Sequence, residues 1–262
     1  MTPASGRWDD LVTRVASGGA VAAVGLGLMW LGGLWFAGLC AVAAGIMVWE
    51  LARMLGAARE ALPLAVFSGA AIFSAAFLPP SVVLPLIMLP AIAGLPRLGA
   101  HRAAWGAFTV AILLAAFGLM VLREEHGFVW VAWLVCVVIA SDVAGYFAGR
   151  AIGGPKFWPK VSPKKTWAGT VAGWIGAALV GLAFMASTRA GAGIVGISVA
   201  VAMAGQLGDI AESALKRKSG IKDSSNLIPG HGGLFDRFDA LLGASVFLLA
   251  VGQIVDFPPV PV

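Results

Sequence analysis

Charge is scarce in this chain. Only 12% of its 262 residues are Asp, Glu, Lys or Arg, while 60% are apolar and the mean hydropathy is +0.91. So little polar surface cannot cover a water-soluble globule of this length, which leaves lipid as the main solvent. Period-two alternation is missing as well: the apolar runs are continuous, which excludes the strands of an outer-membrane barrel. Cysteine is limited to Cys40 and Cys136, far apart inside apolar runs and without the CxxC or Cys/His spacing that holds zinc, so both read as small packing residues. No small-residue cleavage site follows the polar N-terminal segment, and the first helix is expected to be retained. The net charge of +5 comes from basic residues in short loops, without a soluble domain or interleaved stacking aromatics. That excludes nucleic acid as a partner and favours anionic lipid and phosphate groups.

Glycine and proline are plentiful instead, at 35 and 14 residues. Membrane helices tolerate them because neighbouring helices satisfy the freed backbone groups. Apolar stretches near the ~20 residues needed to cross the hydrocarbon core recur along the chain. They lie at 16–33, 34–54, 61–79, 81–97, 103–122, 128–149, 167–187, 191–215 and 234–255. The expected fold is therefore all-α, a polytopic transmembrane bundle of nine spans. Trp49, Trp105, Trp130 and Trp167 fall near span ends, where an amphipathic ring suits the headgroup region, and read as interface anchors.

Orientation follows from Lys and Arg, which are retained in cytoplasmic loops. With the N-terminus inside, the cytoplasmic side collects Arg7, Arg14, Arg53, Arg59, Arg97, Arg102, Arg150, Lys156, Lys160, Lys164, Lys165, Lys216, Arg217, Lys218 and Lys222. The outer side receives only Arg123 and Arg189, and Arg237 sits at the inner start of the last span. Nine spans then leave the C-terminus outside.

Chemistry is unevenly spread. Residues 1–125 look like hydrophobic scaffold, giving lipid access and dimer contacts, and the exception, Glu50, reads as an interfacial residue paired with Arg53 three positions on. Residues 126–262 carry acids within apolar helices, all on the predicted cytoplasmic side, where ionisable groups are costly. Asp142 lies in SDVAGYFAGR, where Gly145 and Gly149 offer a small-residue face; it is either a structural acid paired with a base or a functional one. The following loop brings Ser162, Lys164, Lys165 and Thr166 to a helix start. Topology alone explains part of that charge, and a rigid Pro turn forming a phosphate cradle explains the rest. Asp209, Glu212, Ser213 and Lys216 share one helix face, and Asp236 and Asp239 are i, i+3 neighbours beside His231 and three glycines. His231 reads either as a loop residue or as a phosphate donor. Carboxylates without thiolates suit Mg²⁺, which takes a few acids plus substrate phosphates and water, and a nucleotide-phosphate site is the economical interpretation.

The stretch 213–239, SALKRKSGIKDSSNLIPGHGGLFDRFD, resembles the signature of the phosphatidate cytidylyltransferase, or CDP-diacylglycerol synthase, family. The matching positions are Ser213, Lys216, Arg217, Lys222, Asp223, Pro229, His231, Gly232, Gly233, Asp236, Arg237 and Asp239, and SDVAGYFAGR, SPKKTWAG and GDIAES resemble further blocks of that family. Ala168, Val143 and Ala240 depart from it, standing where Glu, Thr and Ser are usual. The resemblance implies a bacterial inner-membrane enzyme, a homodimer with its site facing the cytoplasm, that joins CTP and phosphatidic acid for phospholipid biosynthesis. It implies Mg²⁺, with a second cation left open. Asp209 and Asp236 become the expected metal ligands, with Asp142 and Asp239 as further ligands or as acceptors that orient them. Lys165 and Lys216 join Asp209 and Asp236 as catalytic residues. Ser162, Lys164, Lys165, Ser213, Arg217, Lys222, Asp223 and His231 are expected to bind substrate, while Arg237 pairs with a carboxylate. A cation transporter would explain the intramembrane acids but not the basic loop facing them. A CDP-alcohol phosphotransferase would need a DGxxAR…GxxxDxxxD array that is absent, and a polyprenol kinase, which shares CTP use, is the closer rival.

The charge asymmetry makes a direct prediction. In a background without Cys40 and Cys136, a cysteine at Ser162 is expected to escape a membrane-impermeant thiol reagent applied to intact cells, and to react once the membrane is opened. Labelling from outside would reverse the orientation.

Overall fold

The computed structural model describes residues 7–228, 230 and 232–259, with side chains from residue 18 onward. Each apolar run forms one helix: α1 (Arg7–Leu31), α2 (Gly33–Met54), α3 (Ala61–Ser74), α4 (Pro80–Gly94), α5 (Arg102–His126), α6 (Phe128–Ala151), α7 (Trp167–Ser187), α8 (Gly193–Lys218) and α9 (Phe235–Val251). Among the described residues, six segments are long and apolar enough to cross a membrane: α2, α4 extended to Arg97, α5 with the turn before it, and α6 to α8. The others are shorter or only partly described. α3 stops after 14 residues, five short of its predicted end, where the chain turns ahead of Pro79 and Pro80. Pro80 then starts α4, where its missing N–H costs nothing. Among the described residues, one strand pair departs from the all-α expectation: Lys156–Trp158 (β1) and Ser162–Thr166 (β2) pair as an antiparallel hairpin in the segment read as a simple Pro turn.

The chain divides into two compact units, 1–109 with 221–237, and 110–220 with 238–262. In the first, α2 and α3 meet through glycine: a Cβ on Gly45 would stand 3.0 Å from the Ala65 carbonyl oxygen. Trp105, expected at an interface, is fully buried in this unit and donates its indole N–H to Ala91 O at 2.8 Å. An indole buried with its one donor satisfied behaves as core.

In the second unit, α8 and α9 approach so closely that a Cβ on Gly208 would lie 3.1 Å from the Gly243 Cα, and one on Gly243 would lie 3.0 Å from the Gly208 Cα. Backbones come together where small residues permit it, and van der Waals packing then holds membrane helices that gain little from hydrophobic burial. Gly145 packs on α7 as the sequence suggested, its virtual Cβ 3.1 Å from Gly169 O. Trp130 is buried too, ringed by Trp133 and Phe257, and Trp133 donates to Ser198 Oγ at 3.0 Å. Trp49 and Trp167 keep part of their surface exposed. Cys40 is a packing residue, whereas Cys136 is exposed on α6, because it falls on the face opposite its buried neighbours Leu134 and Val137.

One methyl group should expose the α8–α9 constraint. Gly208→Ala is expected to destabilise the detergent-solubilised protein by about 1–3 kcal/mol through overpacking. Gly196→Ala, on the same helix with nothing within 4 Å of the new Cβ, is expected to be neutral or slightly stabilising in the same thermal melt.

Candidate active site

Thr166 is where strand becomes helix. Its backbone is extended, and its side-chain oxygen caps α7 by accepting from Gly169 N at 3.2 Å, satisfying one of the donors that a helix start leaves open. Thr170 donates back to Thr166 O at 3.1 Å. The capped junction fixes the last residues of β2, among them Lys164 and Lys165. Both line a cavity of about 440 Å³ within the second unit, together with Asp142, Tyr146 and Arg150 of α6 and Gln206 and Asp209 of α8.

Charge is organised around Asp209. Lys165 Nζ lies 2.5 Å from Asp209 Oδ2 and 3.5 Å from Gln206 O, with both charged side chains about a quarter exposed. Ser213 Oγ donates to Asp209 Oδ1 at 3.2 Å, so that hydroxyl orients the acid. Asp142 is exposed to the cavity and has no hydrogen-bond or ion-pair partner among the described residues. Lys165, on the same cavity, lies within electrostatic range of Asp142. Asp239 accepts from its neighbour Ala240 N at 2.7 Å and lies within electrostatic range of Asp209, Asp142 and Lys216. Lys216 pairs at 2.5 Å with Glu212, a carboxylate only 1% exposed that the sequence placed on this face without a role. Gln206 was not anticipated: it receives the Trp174 indole N–H at 3.0 Å and donates to Ser141 Oγ and Thr170 O, each at 3.3 Å. A glutamine in an apolar span was the signal that could have found it.

In the first unit the signature loop closes on itself. Asp236 Oδ2 accepts from Ser224 N, Ser224 Oγ and Gly233 N, each at 2.9 Å, and Ile228 bridges to Gly232, whose φ of 84° suits glycine. Glu50 departs from its expected pairing with Arg53. It is fully buried and accepts hydrogen bonds from Ser225 Oγ, Leu234 N and Phe235 N. Arg53 instead lies 4.6 Å over the Trp49 ring, a cation–π contact. Lys222, Asp223, Arg217 and Arg237 are exposed, and Ser162 is half-buried at the start of β2. His231 and Pro229 lie outside the described residues.

The expected site residues therefore fall into two groups. Asp142, Ser162, Lys164, Lys165, Asp209, Ser213, Lys216, Arg217 and Asp239 belong to the second unit; Lys222, Asp223 and Asp236 belong to the first. The described residues hold no cluster of three His, Cys, Asp or Glu side chains able to grip a metal unaided. Asp142 and Asp209, two hard-oxygen donors on one cavity beside two lysines, still fit Mg²⁺, which is commonly held by one or two carboxylates and completed by phosphate and water.

Residues 12–255 match the sequence model of the Cytidylyltransferase family. The phosphatidate cytidylyltransferase of Brucella suis biovar 1 (strain 1330) is 32% identical over 270 aligned positions, covering 97% of this chain and 97% of that protein. The Haemophilus influenzae protein of the same name is 42% identical over 155 positions, 54% of each chain. That of Mycobacterium tuberculosis (strain ATCC 25618 / H37Rv) is 39% identical over 137 positions, 51% of this chain and 42% of the relative.

Gln206 offers a test of the cavity wall that needs no substrate. Gln206→Leu would leave the Trp174 indole and the Ser141 hydroxyl short of a partner, and an orphaned buried polar group costs about 1–3 kcal/mol. Unfolding of the purified protein by SDS titration should show that loss.

Proposed function

Because this chain belongs to the cytidylyltransferase family, we propose that it transfers the cytidylyl group of CTP to phosphatidic acid, giving CDP-diacylglycerol and pyrophosphate. The observation that carries the proposal is one cavity, at the end of membrane-length helices, that faces two carboxylates with two lysines: Asp142 and Asp209 with Lys164 and Lys165. A polyanionic nucleotide needs that combination, cationic groups for its phosphates and acids to share a divalent ion with them. The comparisons support the choice of substrates, since relatives aligned over nearly the whole chain bear the name phosphatidate cytidylyltransferase.

In the reaction, a phosphate oxygen of phosphatidic acid attacks the α-phosphorus of CTP. The bond from that phosphorus to the bridging oxygen breaks, and pyrophosphate leaves with the electron pair. No protein group need deprotonate the nucleophile, because a phosphate monoester is already ionised near neutral pH. The protein's work is alignment and charge neutralisation. Lys164 and Lys165 hold the nucleotide phosphates from the hairpin. Arg217 and Lys222, both exposed, offer charge for the remaining phosphates, and Lys216 is set beside buried Glu212. Ser213 keeps Asp209 oriented. Asp209 and Asp142 would hold Mg²⁺, with Asp239 tuning their charge and Asp236 contributing as the sequence resemblance implies. When bound, the cation offsets the charge that builds up on the phosphates.

The finer topology belongs to the same proposal: nine spans, the N-terminus and the active face in the cytoplasm, a bacterial inner membrane and a homodimer. The basic asymmetry of the loops supports the orientation.

Purified protein given CTP, phosphatidic acid and Mg²⁺ should release pyrophosphate in step with a cytidine-containing lipid. Pyrophosphate without that lipid would reject the transfer. Asp209→Asn keeps the shape and removes a charge, and activity is expected to fall at least about a hundredfold. Lys164→Ala or Lys165→Ala should weaken CTP handling by roughly 1.5–3 kcal/mol, the scale of a lost charged hydrogen bond. Asp236→Asn, measured over a Mg²⁺ titration, tests whether that acid shares the cation: a raised Mg²⁺ requirement supports sharing, and an unchanged one rejects it.

A further inference from the structure

Glu50 is the one acid in α2, in a region that otherwise reads as scaffold, and none of its surface reaches solvent. Its two oxygens receive three donors, all from the segment around the start of α9: Ser225 Oγ at 2.5 Å and Leu234 N at 2.9 Å on Oε1, and Phe235 N at 2.7 Å on Oε2. A carboxylate is a strong acceptor for backbone N–H groups at a helix start, and those groups have no partner within their own helix. The fit is close, because a Cβ on Gly233 would fall 2.5 Å from Glu50 Oε1 and also strike Ser224 Oγ. Asp236 works on the same loop from within it, holding Ser224 and Gly233. Two carboxylates therefore take six donor groups of residues 224–235 and close the loop that begins at Lys222 and Asp223.

We infer that Glu50 is a positioning residue for the proposed cytidylyl transfer: from the scaffold it fixes the shape of the 222–235 loop, and so the placement of the loop's charged residues against substrate phosphate. The inference rests on the function proposed above, but its mechanical half stands apart from it. A bland alternative is that Glu50 merely stabilises the unit. The two differ in what a mild variant does. Loss of stability alone lowers the amount of active enzyme and leaves the KM of the surviving molecules unchanged. Loss of positioning changes the KM of molecules that are fully folded.

Glu50→Gln tests this in the full-length protein in detergent. The amide keeps the size of the side chain but turns one acceptor into a donor that faces backbone N–H groups. Hydrogen–deuterium exchange of the 224–235 amides is expected to speed up at least tenfold, with exchange in 137–209 unchanged. The KM for CTP or phosphatidic acid should rise at least threefold in the monodisperse fraction. Faster exchange everywhere with both KM values unchanged would overturn the inference in favour of plain stability. Unchanged exchange at 224–235 would overturn it outright. If Glu50→Gln does not accumulate, Ser225→Ala removes one of the three donors and leaves the backbone pair; the same local acceleration, smaller in size, is then expected, and its absence overturns the inference. A wild-type protein that makes no cytidine lipid would reject the proposed function while leaving the exchange result to judge the loop.

Discussion

Asp209 sits on a helix long and apolar enough to cross a membrane, where an unpaired carboxylate is costly. Its partner is Lys165, from a different part of the chain, and much of the second unit can be understood as what it takes to bring that ammonium there. Lys165 lies near the end of β2, so its position depends on the hairpin pairing with β1 and on Thr166, which ends the strand and caps α7. The place of α7 in turn depends on its contact with α6, where Gly145 and Gly169 let the backbones touch. Without that contact the hairpin would carry its lysines elsewhere, and Asp209 would lose its Lys165 partner.

Glycine thus decides where the acids can be. α6, α7, α8 and α9 succeed one another through positions where a single added methyl would collide with a facing backbone. Lipid tails are as apolar as leucine, so helices in a bilayer gain little by hiding hydrophobic surface and adhere through fit. The abundance of glycine, unusual for soluble helices, is the composition of a bundle built that way.

Much of this was legible in advance. The helices follow the apolar runs because a span must be both long and continuous to satisfy its backbone in lipid, a constraint written directly into sequence. The acids of α6 and α8 and the lysines before α7 were visible as polar residues in an apolar setting. What was missed depends on distant pairing. Glu50 stands three residues from Arg53, and nearness in sequence suggested a partner, whereas its true donors are about 175–185 positions away. Trp105 and Trp130 lie at span ends by count, but burial by neighbouring elements is invisible in a count. Gln206 and the hairpin were overlooked for similar reasons, since a short ladder and a side-chain network are defined by what faces them.

The final residues of the second unit add a different kind of constraint. Phe257 stacks against Trp130 and Trp133 at the beginning of α6, and Gly191 N donates to Pro259 O at 2.8 Å across the turn before α8. The cavity lies toward the other end of α6, where Asp142 is roughly 14 Å along the axis from Trp133. One end of this helix is thus stoppered by packed rings and the other opens on charge. The same helix therefore serves two ends, an apolar seat for residues 257–259 and one wall of the charged cavity.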